Sequence, residues 1–201
     1  MISKLSYGDA RAQTPTPAAG LTVRPDRARF QVQVSVDTDT SAQAIPLLRR
    51  AVLRLEELLP QLQATLTVTD FDLPRDGGKS SGGVSTVYAT LEVPLPASAF
   101  WERAQKVAQV DDLLQALSQE GKRQKPALEV RRALPAYVVT DPEAHREALV
   151  KRLHERARSI AGDEAELRDV HFDRAVAQQS VSLEEVTLSL PVEGTLQSKV
   201  R

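Results

Sequence analysis

The 201-residue chain reads as an α+β protein, with mixed or antiparallel sheets and helices packed on one face. Three observations carry that reading. The strand-like stretches alternate apolar and polar residues, as half-buried strands do, and lack the continuous apolar runs of a sheet covered on both sides. The stretches with helical periodicity occur singly between them. The order that results is β-α-β-β-α-β-α-β-β, groups of strands separated by single helices.

Residues 1–22 read as a flexible lead, because Thr14-Pro15-Thr16-Pro17 cannot pair as a central strand and Ala18-Ala19-Gly20 is small. Pro25-Asp26 marks a turn. From Arg27 to Val36 the pattern alternates, with Phe30, Val32, Val34 and Val36 on one face and Arg29, Gln31, Gln33 and Ser35 on the other. Asp37 to Ser41 supplies helix N-caps. Ile45, Leu48, Val52, Leu55 and Leu59 then recur at helical spacing, Pro46 belongs in the first turn, and Pro60 ends the helix. Leu66 and Val68 open a second strand, with Phe71 and Leu73 beyond. Pro74 to Gly83 reads as a solvated hairpin loop. Val84 to Leu95 is the longest alternating stretch: Val87, Ala89, Leu91, Val93 and Leu95 share one face, Val84, Thr86, Tyr88, Thr90 and Glu92 the other.

Ser98 is expected to cap a helix carrying Trp101, Ala104, Ala108, Leu114 and Leu117, broken by Gly121 and the basic Lys122-Arg123-Gln124-Lys125. Leu128 and Val130, then Tyr137 and Val139, read as strand pieces. Thr140-Asp141-Pro142-Glu143 starts a helix to about Ala161, with a capping side chain, Pro at the first helical position and an acid in the first turn. Gly162 fits its C-cap. Strands are expected around Leu167–Phe172 and Val181–Leu190. The main domain spans 23–193, as one body or as two lobes of about 23–96 and 97–193, and 194–201 read as a frayed tail.

Composition narrows function. The formal net charge is −1, which argues against nucleic-acid binding by bulk charge. There is no Cys, hence no disulfide scaffold, thiolate metal site or Cys nucleophile. The longest apolar run, Ala136 to Val139, is far short of the roughly 20 residues of a membrane span. As written the chain is soluble and cytoplasmic; if an export signal has been removed, it is periplasmic or envelope-located.

Candidate chemistry is sparse. His145 and His154 share one predicted helix and, at about 100° per residue, face opposite ways, so they cannot chelate one metal. The paired acids Glu56-Glu57, Asp111-Asp112, Asp163-Glu164 and Glu184-Glu185 point apart within each pair. The loop from Asp76 to Gly83 contains Gly-Lys-Ser, but Leu73 stands where a phosphate loop needs its first Gly, and a strand follows in place of a helix. Lys122, Arg123, Lys125, Arg131 and Arg132 stand against the single acid Glu129; the stretch reads as a solvated loop beside a solvated acidic strand face, or as one that pairs with the acid-rich stretch from Asp163 to the end between lobes or subunits. No aromatics interleave the basic stretch, so base stacking is not supported. Trp101 is expected as a core plug or an anchor between lobes.

Several segments in order resemble the SIMPL domain family, also called DUF541. Pro25-Asp26-Arg27-Ala28 before an alternating strand resembles that family's P-D-x-A segment, and Thr40 to Leu59 its Ala-rich helix. Phe71-Asp72-Leu73-Pro74, a Gly/Ser loop and Val87 to Val93 resemble a further segment. Val138-Val139-Thr140-Asp141-Pro142 with the helix from His145 to Ala161 resembles the lead into its long helix, and Leu167 to Phe172 the strand after it. The resemblance covers roughly residues 23–190. It implies a bacterial, mostly envelope-located protein, in some members linked to oxidative stress and in some a ring-like oligomer. It supplies no catalytic residue.

The expected function is therefore a non-catalytic structural or interaction module that self-associates, with no cofactor, no metal, no nucleic acid and no membrane span. Its candidate interaction residues are Lys122, Arg123, Lys125, Arg131, Arg132, Trp101 and Tyr88, and a further protein partner is open. The alternative is a small-ligand module using a cleft between lobes walled by Tyr88, Trp101 or Tyr137. An enzyme would have to use Ser or Thr with His171.

Overall fold

The structure, a computed structural model, describes residues 20–74, 83–161, 165–171, 174–191 and 193–198. It is α+β, as its helices and antiparallel sheets require. The first strand is β1 (Gly20–Val23), so regular structure starts before Val23. The chain groups into two compact units. The larger holds Val23–Thr140 with Gln179–Val186, and the smaller holds Met1–Thr22, Asp141–Gln178 and Thr187–Arg201.

The larger unit is built on one antiparallel sheet. Its centre is β2 (Arg27–Thr38). Next come α1 (Ser41–Leu58), a 3₁₀ turn over Leu59–Leu62, β3 (Thr65–Asp72) and β4 (Gly83–Pro94). The long α2 (Phe100–Lys122) precedes β5 (Leu128–Arg132) and β6 (Ala136–Val138). The strand order is β3-β4-β2-β5, with β6 beside β5 on the same flank of β2. β2 and β4 pair over their full lengths, Phe30 opposite Leu91 and Val34 opposite Val87. The predicted alternation is therefore the real one. Ala28, Phe30, Val32, Val34 and Val36 form the core with Val87, Leu91 and Val93 beneath Leu48, Leu55, Val110 and Leu114 of the helices.

Local features refine or depart from the sequence-based expectation. In α1, Thr40 is the N-cap and its hydroxyl accepts from Gln43 N. Pro46 lies one turn deeper than expected, inside the helix, and forfeits a backbone bond there. The buried stripe runs through Ala44, Leu48 and Leu55, which leaves Ile45, one step round the helix, 47% exposed. In α2 the cap position is Ala99, with no side-chain bond, and the Ser98 hydroxyl is not the cap. Gly121 is not a breaker: it lies in the last turn, and a Cβ there would sit 2.7 Å from the Leu128 carbonyl oxygen. The helix approaches β5 closely because that side chain is missing. In β3 the register against β4 shifts by one residue at Thr69, a β-bulge. It places Phe71 opposite Val87 on the face that already carries Leu66 and Val68.

In the smaller unit, Asp141 caps a 3₁₀ turn over Pro142–His145, which runs into α3 (Arg146–Ala161). Leu149, Leu153 and Ala157 form its buried stripe. The helix packs on the antiparallel pair of β7 (Ala165–His171) and β10 (Glu193–Ser198). Residues 194–198, expected as part of a frayed tail, thus lie in a paired strand. Of the strand expected over Val181–Leu190 only Val186–Ser189 forms, as β9; β8 (Ala177–Ser180) precedes that span, and the three-stranded sheet is ordered β1-β9-β8. Between β8 and β9 the Val181 and Ser182 amides donate to Glu185 O, and Ser182 O accepts from Glu185 N at 3.3 Å. That turn is incompatible with an unbroken strand.

Candidate functional site

The larger unit holds three features with potential chemical use. The first is Arg103, whose side chain is 1% exposed. It lies on the core side of α2, seven residues before Val110 and in phase with Leu114 and Leu117. Its Nη1 donates to Pro96 O at 3.0 Å, and its Nη2 to Pro25 O at 2.8 Å and Leu183 O at 2.7 Å. Nε lies 2.9 Å from Glu184 Oε1, close enough for charge pairing although the angle is not that of a hydrogen bond. Burial pulls this guanidinium below its usual pKa and Glu184 pulls it back. Arg24 donates to Ala97 O at 2.9 Å and Ser98 O at 2.6 Å, and meets the other oxygen of Glu184 at 2.7 Å. Two arginines thus hold the carbonyls of residues 96–98, where α2 begins without a side-chain cap. Arg103 is fully engaged in this knot and is a tie, not a ligand group.

Asp26 explains why the segment beginning at Pro25 is written as it is. Its Oδ1 accepts from Thr140 N at 2.9 Å and from Thr140 Oγ1 at 3.0 Å, while Arg27 Nε donates to the same hydroxyl at 2.8 Å. Tyr137 is half-buried, its phenol raised above the usual pKa by burial, and its amide donates to Ser180 Oγ at 2.8 Å.

The second feature is the β3 edge. α1 packs on β2 and β4. Leu66 reaches the core, but Val68 and Phe71 on the same face remain 50% and 40% exposed. Leu73 and Val84 are exposed nearby in sequence and register. The opposite face is polar: Thr65, Thr67, Asp70 and Asp72 beside Glu92, Thr90, Tyr88 and Thr86. Tyr88 belongs to that polar face.

The third feature is a cavity of about 140 Å³ between α1, α2 and the sheet. Val34, Leu128 and Val130 form its floor, and Ala51, Leu55, Leu117 and Gly121 its walls. Arg50, Arg54, Glu120 and Gln124 surround the mouth.

The sequence-predicted basic residues do not form one patch. Arg131 ion-pairs with Glu129 at 2.8 Å on the outer face of the sheet. Arg132 points to the helix side and pairs with Asp111 of α2. Each guanidinium is raised above its usual pKa, chiefly by the hydrogen bond to its carboxylate. The partners of Arg131 and Arg132 are thus near neighbours within the unit. Lys122, Arg123 and Lys125 surround the end of α2, next to the cavity residues Gly121 and Gln124. Trp101 is no core plug. It is 79% exposed, about 200° round the helix from Arg103, and stacks edge-on against Phe100 at 5.2 Å.

In the smaller unit, the Glu143 carboxylate accepts from Arg146 Nε at 2.6 Å and Val176 N at 2.7 Å, and these bonds hold its pKa below the usual value. Among the described residues, no cluster of three or more His, Asp or Glu could hold a metal ion. No described helix is long and apolar enough to cross a membrane. The Gly/Ser loop after Pro74 and the Asp163-Glu164 pair lie outside the described residues, as does the side chain of His171.

No family model matches the chain, and no curated protein matches it. Among solved structures, it is similar to an amidase of the hydantoinase/carbamoylase family from Burkholderia phymatum, at 14% identity and a TM-score of 0.38 over 78% of this chain. It is also similar to a hydantoinase/carbamoylase family amidase from Burkholderia ambifaria, at 13% identity and a TM-score of 0.37 over 64% of this chain. The chain spans 39% and 34% of those two chains. At these scores no residue role transfers.

Proposed function

We propose that the protein is a non-catalytic interaction module that forms a homo-oligomer through the open edge of β3. The observation that carries the reading is an eight-residue edge strand with Val68 and Phe71 exposed on its apolar face. An edge strand presents unpaired N–H and C=O groups, which a second strand can satisfy. Asp70, Asp72 and the bulge blunt its second half; Thr65–Val68 has none of these guards.

Antiparallel pairing of two copies about an axis at Thr67 sets Val68 of one opposite Leu66 of the other and Thr against Thr. It also places the two Asp70 residues six strand steps apart, about 20 Å, beyond the roughly 8 Å screening length of physiological salt. The non-catalytic part rests on the lack of a nucleophile–base constellation in the sequence. A place in the bacterial envelope or in a stress response is what the family resemblance implies.

The test is solution mass by light scattering across a hundredfold concentration range. The wild type is expected at a multiple of 22.0 kDa, and Val68→Lys at the monomer mass with an unchanged circular-dichroism spectrum. A wild type that stays at 22.0 kDa throughout rejects the reading.

A further inference from the structure

The cavity between α1 and α2 has a chemistry that self-association does not use. Its floor and walls are apolar and deeply placed: Val34 is 1% exposed, Leu55 2% and Leu128 4%. Its volume of about 140 Å³ is close to that of an apolar cavity able to hold benzene. Ala51 of α1 and Gly121 of α2 are among its lining residues and contribute little side-chain volume to it.

The mouth is charged. Arg50 and Arg54 lie one helical turn apart on α1 and share a face. Arg54 is bonded to Glu57 at 3.1 Å, whereas Arg50 has no ion pair among the described residues. Glu120 is the one acid at the mouth, against these two cations. Lys122, Arg123 and Lys125, interleaved with the lining residues Gly121 and Gln124, add positive charge. A guanidinium with no ion pair among the described residues, beside a ring-sized apolar recess, matches a ligand with a carboxylate at one end and a compact hydrocarbon group at the other.

We infer that this cavity binds a small organic monocarboxylate bearing one ring-sized or branched apolar group, its carboxylate on Arg50 and its hydrocarbon on Leu55, Leu117 and Val130. The inference is independent of the oligomer. An aliphatic or aromatic acid and an apolar amino acid share this chemistry; the amino acid would add an ammonium group for Glu120.

Titration calorimetry with benzoate, 4-methylpentanoate, L-leucine and neutral 4-methylpentanamide tests it. At least one acid is expected to bind wild type with a dissociation constant on the order of 1 mM or tighter. Leucine tighter than 4-methylpentanoate identifies the amino-acid source, and the reverse identifies the simple acid. Arg50→Gln is expected to weaken the acid at least about tenfold and to leave the amide unchanged. Ala51→Met, which fills the recess, is expected to abolish binding while thermal unfolding stays cooperative. Absence of binding by all three acids at 10-fold above that concentration overturns the inference, as does an affinity indifferent to both substitutions.

Discussion

The two ends of α2 are fixed by opposite means. At its start, a buried guanidinium and its neighbour Arg24 grip three consecutive carbonyls and share one carboxylate. At its finish, a residue with no side chain lets the helix backbone close on Leu128. The first is directional and costly to desolvate; the second is steric and nearly free of electrostatics. A helix held this way is pinned in rotation at one end and in distance at the other. The cavity lies at the distance-controlled end, where no polar network fills the space.

Arg103→Met is the harshest way to break the contrast. It strips the partners from Pro25 O, Pro96 O and Leu183 O, and should cost about 3–5 kcal/mol in urea unfolding. If the loss is under about 1 kcal/mol, the knot is ornamental and packing alone holds the start of α2. Gly121→Ala comes next, at about 1–3 kcal/mol, because its Cβ meets backbone 2.7 Å away and the helix must shift. A neutral result would mean that α2 and β5 can part readily. Arg132→Ala removes the half-exposed pair with Asp111 midway along the helix and is expected to cost at most about 1 kcal/mol. Trp101→Ala, on the outer side of the pinned end, should change stability by no more than about 0.5 kcal/mol. A larger loss in a concentration-dependent assay would show that Trp101 is covered by another copy.

A pH titration adds a contrast from the smaller unit. The Glu143 pKa is depressed, so its bonds to Arg146 and Val176 stabilise the fold above the ordinary value of 4.5 and lose that effect as pH falls through the lower folded value. Wild type should therefore melt higher than Glu143→Gln at pH 7, with the gap closing on acidification below 4.5. A gap that is constant with pH would deny the carboxylate this role.

Much of the larger sheet was legible because its central strands are solvated on one face. That asymmetry writes itself as alternation over Arg27–Val36 and Val84–Leu95. Helix phase was less legible. Reading back from Leu114 and Leu117 by sevens and fours lands on Val110 and Arg103, so the core stripe begins with a charged residue. A hydrophobicity pattern skips such a position and settles on Trp101 two residues earlier. The hairpin turn after β8 was hidden in the same way, since Val181 and Leu183 look like strand residues while Ser182 and Glu185 make the bend. The cavity had no signature at all: its lining residues, Ala51 and Gly121 among them, are distant in sequence and meet only in the fold. The β3 bulge did leave one, the switch from even positions at Leu66 and Val68 to odd ones at Phe71 and Leu73.

That one extra residue at Thr69 acts as a phase shifter in a two-beat wave. Everything after it keeps its hydrophobic beat on the same face only because the beat has been delayed by one. Deleting Thr69 while leaving the rest untouched would close the bulge and keep Asp70 opposite Tyr88 and Phe71 opposite Val87, so both faces would keep their residues. The strand therefore carries one residue in reserve: β3 can lose it and hold its pattern, whereas one residue more, with no second bulge, would swing Phe71 to the side of Thr67 and bring Asp70 and Asp72 over the apolar face.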